Sequence, residues 1–270
     1  MNNLAHYLCP ICQNELVIDG SIYRCCDNHC FDQAKEGYVN LLPVQLKHSK
    51  QPGDNKAMVN ARRDFLAKGY YQPLVKLLVD LQQQYAINAT NILDAGCGEG
   101  YYTHQHVTSF NNVYGVDIAK EAIKKAAKKH KNAQFSVATL SHLPFADGFF
   151  HWIISVYAPI LEQEFSRVLA DQGYLITVTP GKRHLYELKE IIYQSAKEHN
   201  DEKEVIQSLS LIHEQRLSYP MVLKTADDLL NLLSMTPFAF KASSEAVTVL
   251  SQQTQFNCQA DFIIRLYQKN

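Results

Sequence analysis

The chain has 270 residues, of which 46% are hydrophobic and 20% charged, and its formal net charge is −1 at neutral pH. This length allows one large core or two unequal domains. The near-zero charge excludes nucleic-acid binding through overall charge, so any such contact must use local patches. The sequence contains no apolar run that could span a bilayer, and its first residues lack a signal-peptide pattern. We therefore expect a cytoplasmic protein with no membrane partner.

The cysteines are concentrated in the first thirty residues, where Cys9-Pro10-Ile11-Cys12 is followed by Cys25-Cys26-Asp27-Asn28-His29-Cys30. Two ligands from each cluster can close a tetrahedral zinc site. The spacing does not fix which two residues of the second cluster complete the site with Cys9 and Cys12. The candidate pairs are Cys25 with His29, Cys26 with His29, Cys25 with Cys30, and Cys26 with Cys30. So short a segment buries too little apolar surface to fold alone, so metal binding would supply much of its folding free energy. We predict a zinc-binding unit over residues 1–35.

Residues 36–87 are predicted to form a basic connection with helices over Asn55–Leu66 and from Tyr70 to about Tyr85. Between residues 35 and 68 the chain has seven Lys or Arg and three acidic residues, an excess of +4. This excess could line a path for RNA phosphates, with Arg62 and Arg63 as candidate contacts. A solvated linker and helix face explains the charge equally well.

Residues 88–270 are predicted to form one domain in which strands and helices alternate. The predicted strands are 90–94, 112–117, 133–138, 151–156 and 173–179, and the predicted helices are 101–109, 119–131 and 160–169. This alternation predicts an α/β fold with a doubly wound, mostly parallel sheet. Further along, the expected elements are a helix over 183–199, a strand over 215–223, a helix over 226–233 and a strand over 257–268. The last two strands would form an antiparallel pair that closes the sheet.

The run Ile92-Leu93-Asp94-Ala95-Gly96-Cys97-Gly98-Glu99-Gly100 predicts a strand that enters a tight turn. Its alternate glycines Gly96, Gly98 and Gly100 would let the backbone pass close beneath a ligand. About one strand–helix unit later, Asp117 ends a second strand, where a carboxylate can accept hydrogen bonds from ribose hydroxyls. The G-x-G-x-G spacing resembles motif I of the class I S-adenosylmethionine (SAM) methyltransferases. That resemblance implies a SAM site containing Asp94, the three glycines and Asp117.

Two further positions are placed to contact a substrate or cofactor. Tyr157-Ala158-Pro159 follows the strand at 151–156, where many amino-group methyltransferases have an Asn/Asp-Pro-Pro-aromatic motif. The absence of this motif argues against an adenine-N6 mechanism. Tyr157 would then stack on or hydrogen-bond to a ligand, or serve only as a packing residue. His184 follows the next strand, and the sequence alone favours an exposed histidine at the start of a helix.

Longer runs give a resemblance over essentially the whole chain. Besides Cys9 to Cys12, they are Phe31 to Pro43, Pro52-Gly53-Asp54, Ala61 to Leu66, Gly96 to Thr103, and Met235 to Phe238. Together they resemble the bacterial 23S rRNA (guanine-N1)-methyltransferases, which join a zinc-binding unit to a SAM domain. The resemblance implies Zn²⁺ on Cys9, Cys12, Cys25 and His29. It also implies SAM contacts from Tyr71, Glu99, Gly100 and His184.

The expected function is methyl transfer from SAM to N1 of a guanine in a hairpin loop of 23S rRNA, with a homodimer as one possible assembly. One alternative is a small-molecule methyltransferase with a structural zinc, for which the basic connection would have no use. A second alternative is a non-catalytic RNA-binding zinc protein. The intact glycine turn and Asp117 argue against it. The sequence does not identify the group that accepts the N1 proton.

Overall fold

The computed structural model describes residues 4–46, 53–193, 195–200 and 206–270. Lys47 and Lys50, which contribute to the predicted basic connection, lie outside these residues. Within the described ranges, no helix is both long enough and apolar enough to cross a membrane.

The N-terminal region folds as a small antiparallel sheet in the order β1-β2-β3-β4. Its strands are β1 Leu4–Leu8, β2 Glu15–Asp19, β3 Ile22–Arg24 and β4 Cys30–Asp32. The buried side chains of Tyr7 and Leu16 join a cluster that contains Tyr114 and Phe145 of the larger domain. The Leu8 N–H also donates to the Pro144 carbonyl at 2.8 Å. The small sheet therefore shares its apolar core with the large domain.

An eight-stranded sheet forms the rest of the scaffold, in the order β11-β12-β10-β9-β6-β7-β8-β5. Its strands are β5 Val39–Asn40, β6 Asn91–Ala95, β7 Asn112–Asp117, β8 Gln134–Val137, β9 Phe150–Val156, β10 Leu169–Pro180, β11 Leu209–Leu223 and β12 Phe256–Lys269. The six strands from β5 to β10 pair in parallel, and β12 and β11 add antiparallel strands at one edge. The predicted doubly wound, mostly parallel sheet is confirmed.

Seven helices occur in the described residues. They are α1 Lys56–Leu66, α2 Gln72–Tyr85, α3 Lys120–Lys129, α4 Glu162–Val168, α5 Tyr186–Ile192, α6 Ala226–Ser234 and α7 Ser244–Ser251. Asn55 caps α1, since its side-chain oxygen accepts from the N–H groups of Ala57 and Met58. In α3 the apolar residues Ile123 and Ala126 are buried. This burial leaves the lysines of α3 on its solvent side, as expected for a solvated helix.

Several predicted elements were wrong in extent. The segment 101–109 contains only a short 3-10 helix, Thr103–His106, because the Thr103 hydroxyl is held by Asp94 and β-branched residues follow. The helix predicted over 183–199 is limited to α5, since the chain becomes extended at Tyr193. Strand β11 begins at Leu209, earlier than expected, and strand β5 and helix α7 were missed. The edge strand β5 has only two residues, too few for a sequence pattern.

The two faces of the sheet are both covered, and alternate residues of β9 show the division. Trp152 and Ile154 belong to the cluster under α2 and α6, whereas Ile153 belongs to the cluster shared with the small sheet. Strand β6 has β7 on one side and β9 on the other, so the chain order reverses there. Ligands of open α/β sheets bind at this position, outside the carboxyl ends of the strands.

Candidate active site and metal centre

A cavity of about 550 Å³ opens at the carboxyl ends of β6, β7 and β9. Of the residues singled out from sequence, those in its lining are Tyr71, Gly96, Gly98, Glu99, Asp117, His184, Arg62 and Tyr157. Asp94, Gly100 and Arg63 are not among its lining residues. A pocket of this size can hold a cofactor with part of a second ligand.

The glycine turn at the head of this cavity uses a backbone conformation that favours glycine. Gly96, Gly98 and Gly100 have φ of +77°, +56° and +84°. A Cβ on Gly96 would lie 2.6 Å from the Ala158 Cβ, so Gly96 admits the loop after β9. A Cβ on Gly100 would lie 3.0 Å from the His130 ring. Gly100 is therefore required by packing against the end of α3.

The two predicted acids occupy different positions. Asp94 is 1% exposed beneath the turn and accepts a hydrogen bond from the Thr103 hydroxyl at 2.6 Å. Burial raises the pKa of Asp94 to about 7. Asp117 lies on the cavity wall and accepts from the N–H groups of Gly98 at 2.9 Å and Ala119 at 2.7 Å. Asp94 thus fixes the turn from below, while Asp117 is available to a ligand.

Glu99 and Arg62 form the charged wall of the cavity. Glu99 is 3% exposed, and its burial raises the pKa to about 7, opposed by nearby cations of which Lys129 and Arg62 act most strongly. Arg62 forms an ion pair with Asp54 and donates to the Met235 carbonyl at 3.2 Å. It therefore ties α1 to the end of α6 at the cavity.

Arg63, the second predicted RNA contact, is placed differently. Its side chain is 41% exposed and pairs with Asp64. The structure therefore separates the two neighbouring arginines. Arg62 faces the cavity, and Arg63 faces solvent.

His184 and Tyr157 meet at the opposite wall. His184 is 5% exposed, and its Nδ1 accepts from the backbone N–H of Asp261 at 3.2 Å. Its Nε2 lies 3.2 Å from the Tyr157 hydroxyl. Burial lowers the pKa of His184 to about 3, so the ring is neutral at pH 7. The structure overturns the sequence-only preference for an exposed histidine here.

Sequence reasoning missed Asp261, which organises this wall. Its carboxylate is fully buried, accepts from the Arg183 N–H at 2.9 Å and pairs with Arg216 at 2.7 and 2.8 Å. A Cβ on Gly181 would lie 2.5 Å from its carboxyl carbon. A lone aspartate in the apolar run of β12 was the available signal, because a buried carboxylate requires partners.

His199, Phe238 and Tyr101 also line the cavity and were not singled out as site residues. Phe238 belongs to the Thr236–Phe240 stretch. The exposed fraction of the neighbouring Phe240 is 72%. The stretch therefore forms part of the cavity wall as well as part of the surface.

The N-terminal sheet brings Cys9, Cys12, Cys25 and His29 together, with all their ligand atoms within 4.8 Å of one another. Two Sγ–Nδ1 distances are 3.6 Å (Cys9–His29) and 3.4 Å (Cys25–His29), and the Cys12 and Cys25 sulfurs are 3.6 Å apart. Tetrahedral zinc with Zn–S near 2.3 Å and Zn–N near 2.0 Å requires ligand separations of about 3.5–3.8 Å. These residues therefore fit Zn²⁺.

The local turn explains this selection. The Asn28 N–H donates to the Cys25 carbonyl, and the Cys25 N–H donates to the His29 carbonyl, so the chain reverses between the two ligands. The His29 N–H also donates to the Cys25 sulfur at 3.3 Å, a contact that stabilises a thiolate. The other two thiols, Cys26 and Cys30, are exposed.

Comparison with known proteins agrees with this two-part architecture. A family model described as "Methyltransferase domain" matches residues 87–232, and one described as "RlmA, N-terminal", a zinc ribbon, matches residues 7–50. The 23S rRNA (guanine(748)-N(1))-methyltransferase of Streptomyces fradiae is 35% identical over 192 residues, covering 69% of this chain and 68% of that protein.

Two more similarities were found. A Bacillus subtilis protein named "Putative 23S rRNA (guanine-N(1)-)-methyltransferase YxjB" is 28% identical over 97% of each chain. A Galdieria sulphuraria structure titled "putative sarcosine dimethylglycine methyltransferase" aligns with a TM-score of 0.48 at 15% identity, covering 74% of this chain and 86% of that one.

The mostly parallel sheet with its glycine turn, together with the methyltransferase-domain match, defines a SAM-dependent methyltransferase, and the four-ligand cluster lies in the matched zinc ribbon. Its cofactors are SAM and Zn²⁺. The chain belongs to the 23S rRNA (guanine-N1)-methyltransferase family.

Proposed function

We propose that this protein transfers a methyl group from SAM to N1 of a guanine in a hairpin loop of 23S rRNA. The observation that carries the proposal is the union, in one chain, of an open cofactor cavity and the zinc ribbon of this family. A small-molecule enzyme has no need of the ribbon, and a non-catalytic RNA binder has no need of the cavity.

The cofactor would be held by the glycine turn with Asp117, Glu99, Tyr71 and His184. SAM supplies an electrophilic methyl group when bound. The protein's own task is then to orient the acceptor and to exclude water. Because Asp117 already accepts two backbone N–H groups, its carboxylate is fixed in place before a ligand arrives.

Guanine N1 lies on the Watson–Crick edge and carries a proton at neutral pH. The target must therefore be unpaired, and its base must be extruded into a pocket before transfer. The loop after β9, which contains Tyr157, borders the same cavity as the glycine turn. A base that enters beside Tyr157 would meet the cofactor without leaving the cavity.

We further propose three parts with different tasks: the zinc unit (1–35) and basic connection (36–87) grip the folded RNA, and the domain over 88–270 performs the transfer. Arg63, Lys56 and Lys68 are exposed or partly exposed cations of the connection. Each phosphate contact they make would weaken binding at higher salt.

The test is a methylation assay with the zinc-loaded full chain, SAM and unmodified 23S rRNA, read by reverse transcription. A methyl on N1 blocks base pairing, so we expect one strong SAM-dependent stop at a loop guanine. An Asp117→Ala variant should lose the stop together with SAM binding. Demonstrable SAM binding without any stop would favour the small-molecule alternative and overturn the proposal.

We propose the cytoplasm, where 23S rRNA is assembled, as the site of action, and a homodimer as the assembly. Light scattering of the purified chain tests the dimer directly. A mass of one chain, 30.7 kDa, would contradict it.

A further inference from the structure

The wall of the cavity around His184 contains polar atoms with defined hydrogen-bonding roles. In the described part of the chain, two buried cavity-lining side-chain atoms lack a hydrogen-bond partner: the Tyr101 hydroxyl and Nε2 of His199. Buried polar atoms without partners are uncommon and often mark a place that a ligand completes. His199 is close to the Tyr157–His184 pair, since the rings of His199 and His184 are 6.1 Å apart.

A chain of hydrogen bonds makes Tyr157 a donor towards the cavity. The backbone N–H of Asp261 donates to Nδ1 of His184, so the neutral ring carries its hydrogen on Nε2. That Nε2–H donates to the Tyr157 hydroxyl oxygen at 3.2 Å. The hydroxyl therefore keeps its own hydrogen for another acceptor. The backbone of Tyr157 is held in place because its N–H donates to the Val178 carbonyl, and it adopts a strained φ of +56°.

His199 presents a hydrogen-bond acceptor to the cavity, whereas Tyr157 presents a donor. Nε2 of His199 is the buried atom without a partner, and the backbone of His184 raises the pKa of the ring, as an acceptor beside a ring N–H does. We therefore assign the ring hydrogen to Nδ1, which leaves a lone pair on Nε2. Among the residues that the structure describes, the groups that affect its titration are Lys189 of α5, His184 and Asp261 of β12. Burial, then Lys189, lowers the pKa of His199, against the opposing effect of Asp261. The ring is therefore neutral and able to accept a proton at pH 7.

A donor beside an acceptor matches the Watson–Crick edge of guanine, which presents O6 as an acceptor and N1–H as a donor. The Phe238 ring lies 6.4 Å from the His199 ring at 30°, so an apolar surface adjoins the same place. We propose that His199 Nε2 accepts the N1 proton of the target guanine while the Tyr157 hydroxyl donates to O6. Besides its place beside the cofactor, His184 positions the Tyr157 hydroxyl through its Nε2–H.

The inference rests on the proposed function and adds the groups that make N1 a nucleophile. The N1–H bond breaks, and its proton moves to His199 Nε2. The electron pair left on N1 forms the new bond to the methyl carbon, and the sulfur of SAM keeps the pair of the broken S–CH₃ bond. His199 then loses the proton to water. Negative charge that develops on O6 is stabilised by the Tyr157 hydroxyl.

The first test measures single-turnover methylation of 23S rRNA by His199→Gln, with His213→Gln as a matched control on β11. General-base catalysis contributes about 10²–10⁴-fold, so we expect a loss of that size in rate. SAM affinity should change less than about threefold, which shows that the variant is folded. The variant's rate should rise steadily from pH 6 to 9, because hydroxide replaces the missing base, while the wild-type rate levels off. A His199→Gln rate or pH profile equal to the wild type would overturn the proposal.

The second test examines the hydrogen bond to O6. Tyr157→Phe removes only the hydroxyl, and loss of one such donor reduces rates by about 10²–10³-fold. The target guanine is then replaced by 6-thioguanine, whose sulfur is a poor acceptor, and the wild-type to Tyr157→Phe rate ratio should fall towards one. If 6-thioguanine leaves the wild-type to Tyr157→Phe rate ratio unchanged, the Tyr157 hydroxyl does not donate to O6. His184→Gln, which keeps a donor, should retain more activity than His184→Leu, and equal losses would contradict the positioning role.

The two proposals fail in different ways. If the wild-type chain gives no reverse-transcription stop, the proposed function is wrong. If the wild type gives the stop and the His199→Gln and Tyr157→Phe variants match it, only the assignment of these residues is wrong.

Discussion

The small N-terminal sheet and the eight-stranded sheet reach stability in different ways. In the small sheet the apolar side chains of Tyr7 and Leu16 are buried against the larger domain, and the centre is a cluster of metal ligands. In the large sheet Trp152, Ile154 and Phe262 are fully buried between the strands and their covering helices. The first region depends on an ion and a neighbour, whereas the second depends on its own apolar core.

Zinc removal should affect the small sheet and leave the large sheet folded, and it has the largest expected effect on stability and activity. Structural zinc contributes about 10–16 kcal/mol to the folding of isolated zinc modules. We expect a strong chelator, or Cys9→Ser with Cys25→Ser, to unfold β1–β4 and abolish rRNA methylation. SAM affinity should remain within about threefold, because the cavity is built on the large sheet.

Hydrogen exchange with and without zinc provides the measurement. The amides of β1–β4 should lose protection while those of β6 and β9 keep it. Equal loss of protection in both sheets would show that the shared core makes them one cooperative unit. Cys30→Ser, which changes an exposed thiol outside the four-ligand cluster, is the matched control.

Asp94 tests a property of the large sheet alone. Burial holds its pKa at about 7 in the folded chain, against an ordinary value near 4. The folded state therefore binds more protons between these values, so this carboxyl lowers stability as the pH rises from about 4 to 7. Asp94→Asn should be more stable than the wild type at pH 8, by about 2–4 kcal/mol.

Urea unfolding of zinc-loaded wild type and Asp94→Asn across pH 4–8 checks this sign. The difference in the free energy of unfolding should shrink towards pH 4. The Asn side chain can still accept from Thr103, so the hydrogen bond is retained. A difference that is constant with pH would contradict a protonation origin.

Arg62 and Arg63 distinguish cofactor binding from RNA binding at adjacent positions. Arg62 lines the cavity and pairs with Asp54, so Arg62→Ala should weaken SAM binding by about tenfold, the loss of one partly buried charged contact. Isothermal titration with SAM measures this loss. Unchanged SAM affinity would assign Arg62 to RNA alone.

Arg63→Ala has the smallest expected effect. Its exposed side chain would neutralise at most one phosphate, so the slope of log affinity against log salt should fall by about one. SAM affinity should be unchanged. Filter binding of 23S rRNA at several salt concentrations is the measurement, and an unchanged slope would remove Arg63 from the interface.

Much of the cofactor region follows from local sequence. The apolar strand β6, the glycines with positive φ and Asp117 at the end of β7 lie within about 25 residues, so their spacing in the chain largely defines their spacing in space. The sequence places Asp94 with the cavity residues because it marks an acid at a strand end but not the face of the sheet on which that acid lies.

The sequence by itself determined the parallel sheet, the glycine turn and the presence of a metal cluster, because each depends on short-range periodicity or spacing. Only the tertiary structure brings Cys25 and His29 into one cluster with Cys9 and Cys12 and leaves Cys26 and Cys30 exposed, since the turn at Asn28 sets which side chains face inward. It also placed Arg62 in the cavity and brought Tyr157, His184 and His199 together. Tyr157 is 27 residues from His184 and Asp261 is 77 residues from it, and only the packing of β12 against β10 brings the backbone N–H of Asp261 to the His184 ring.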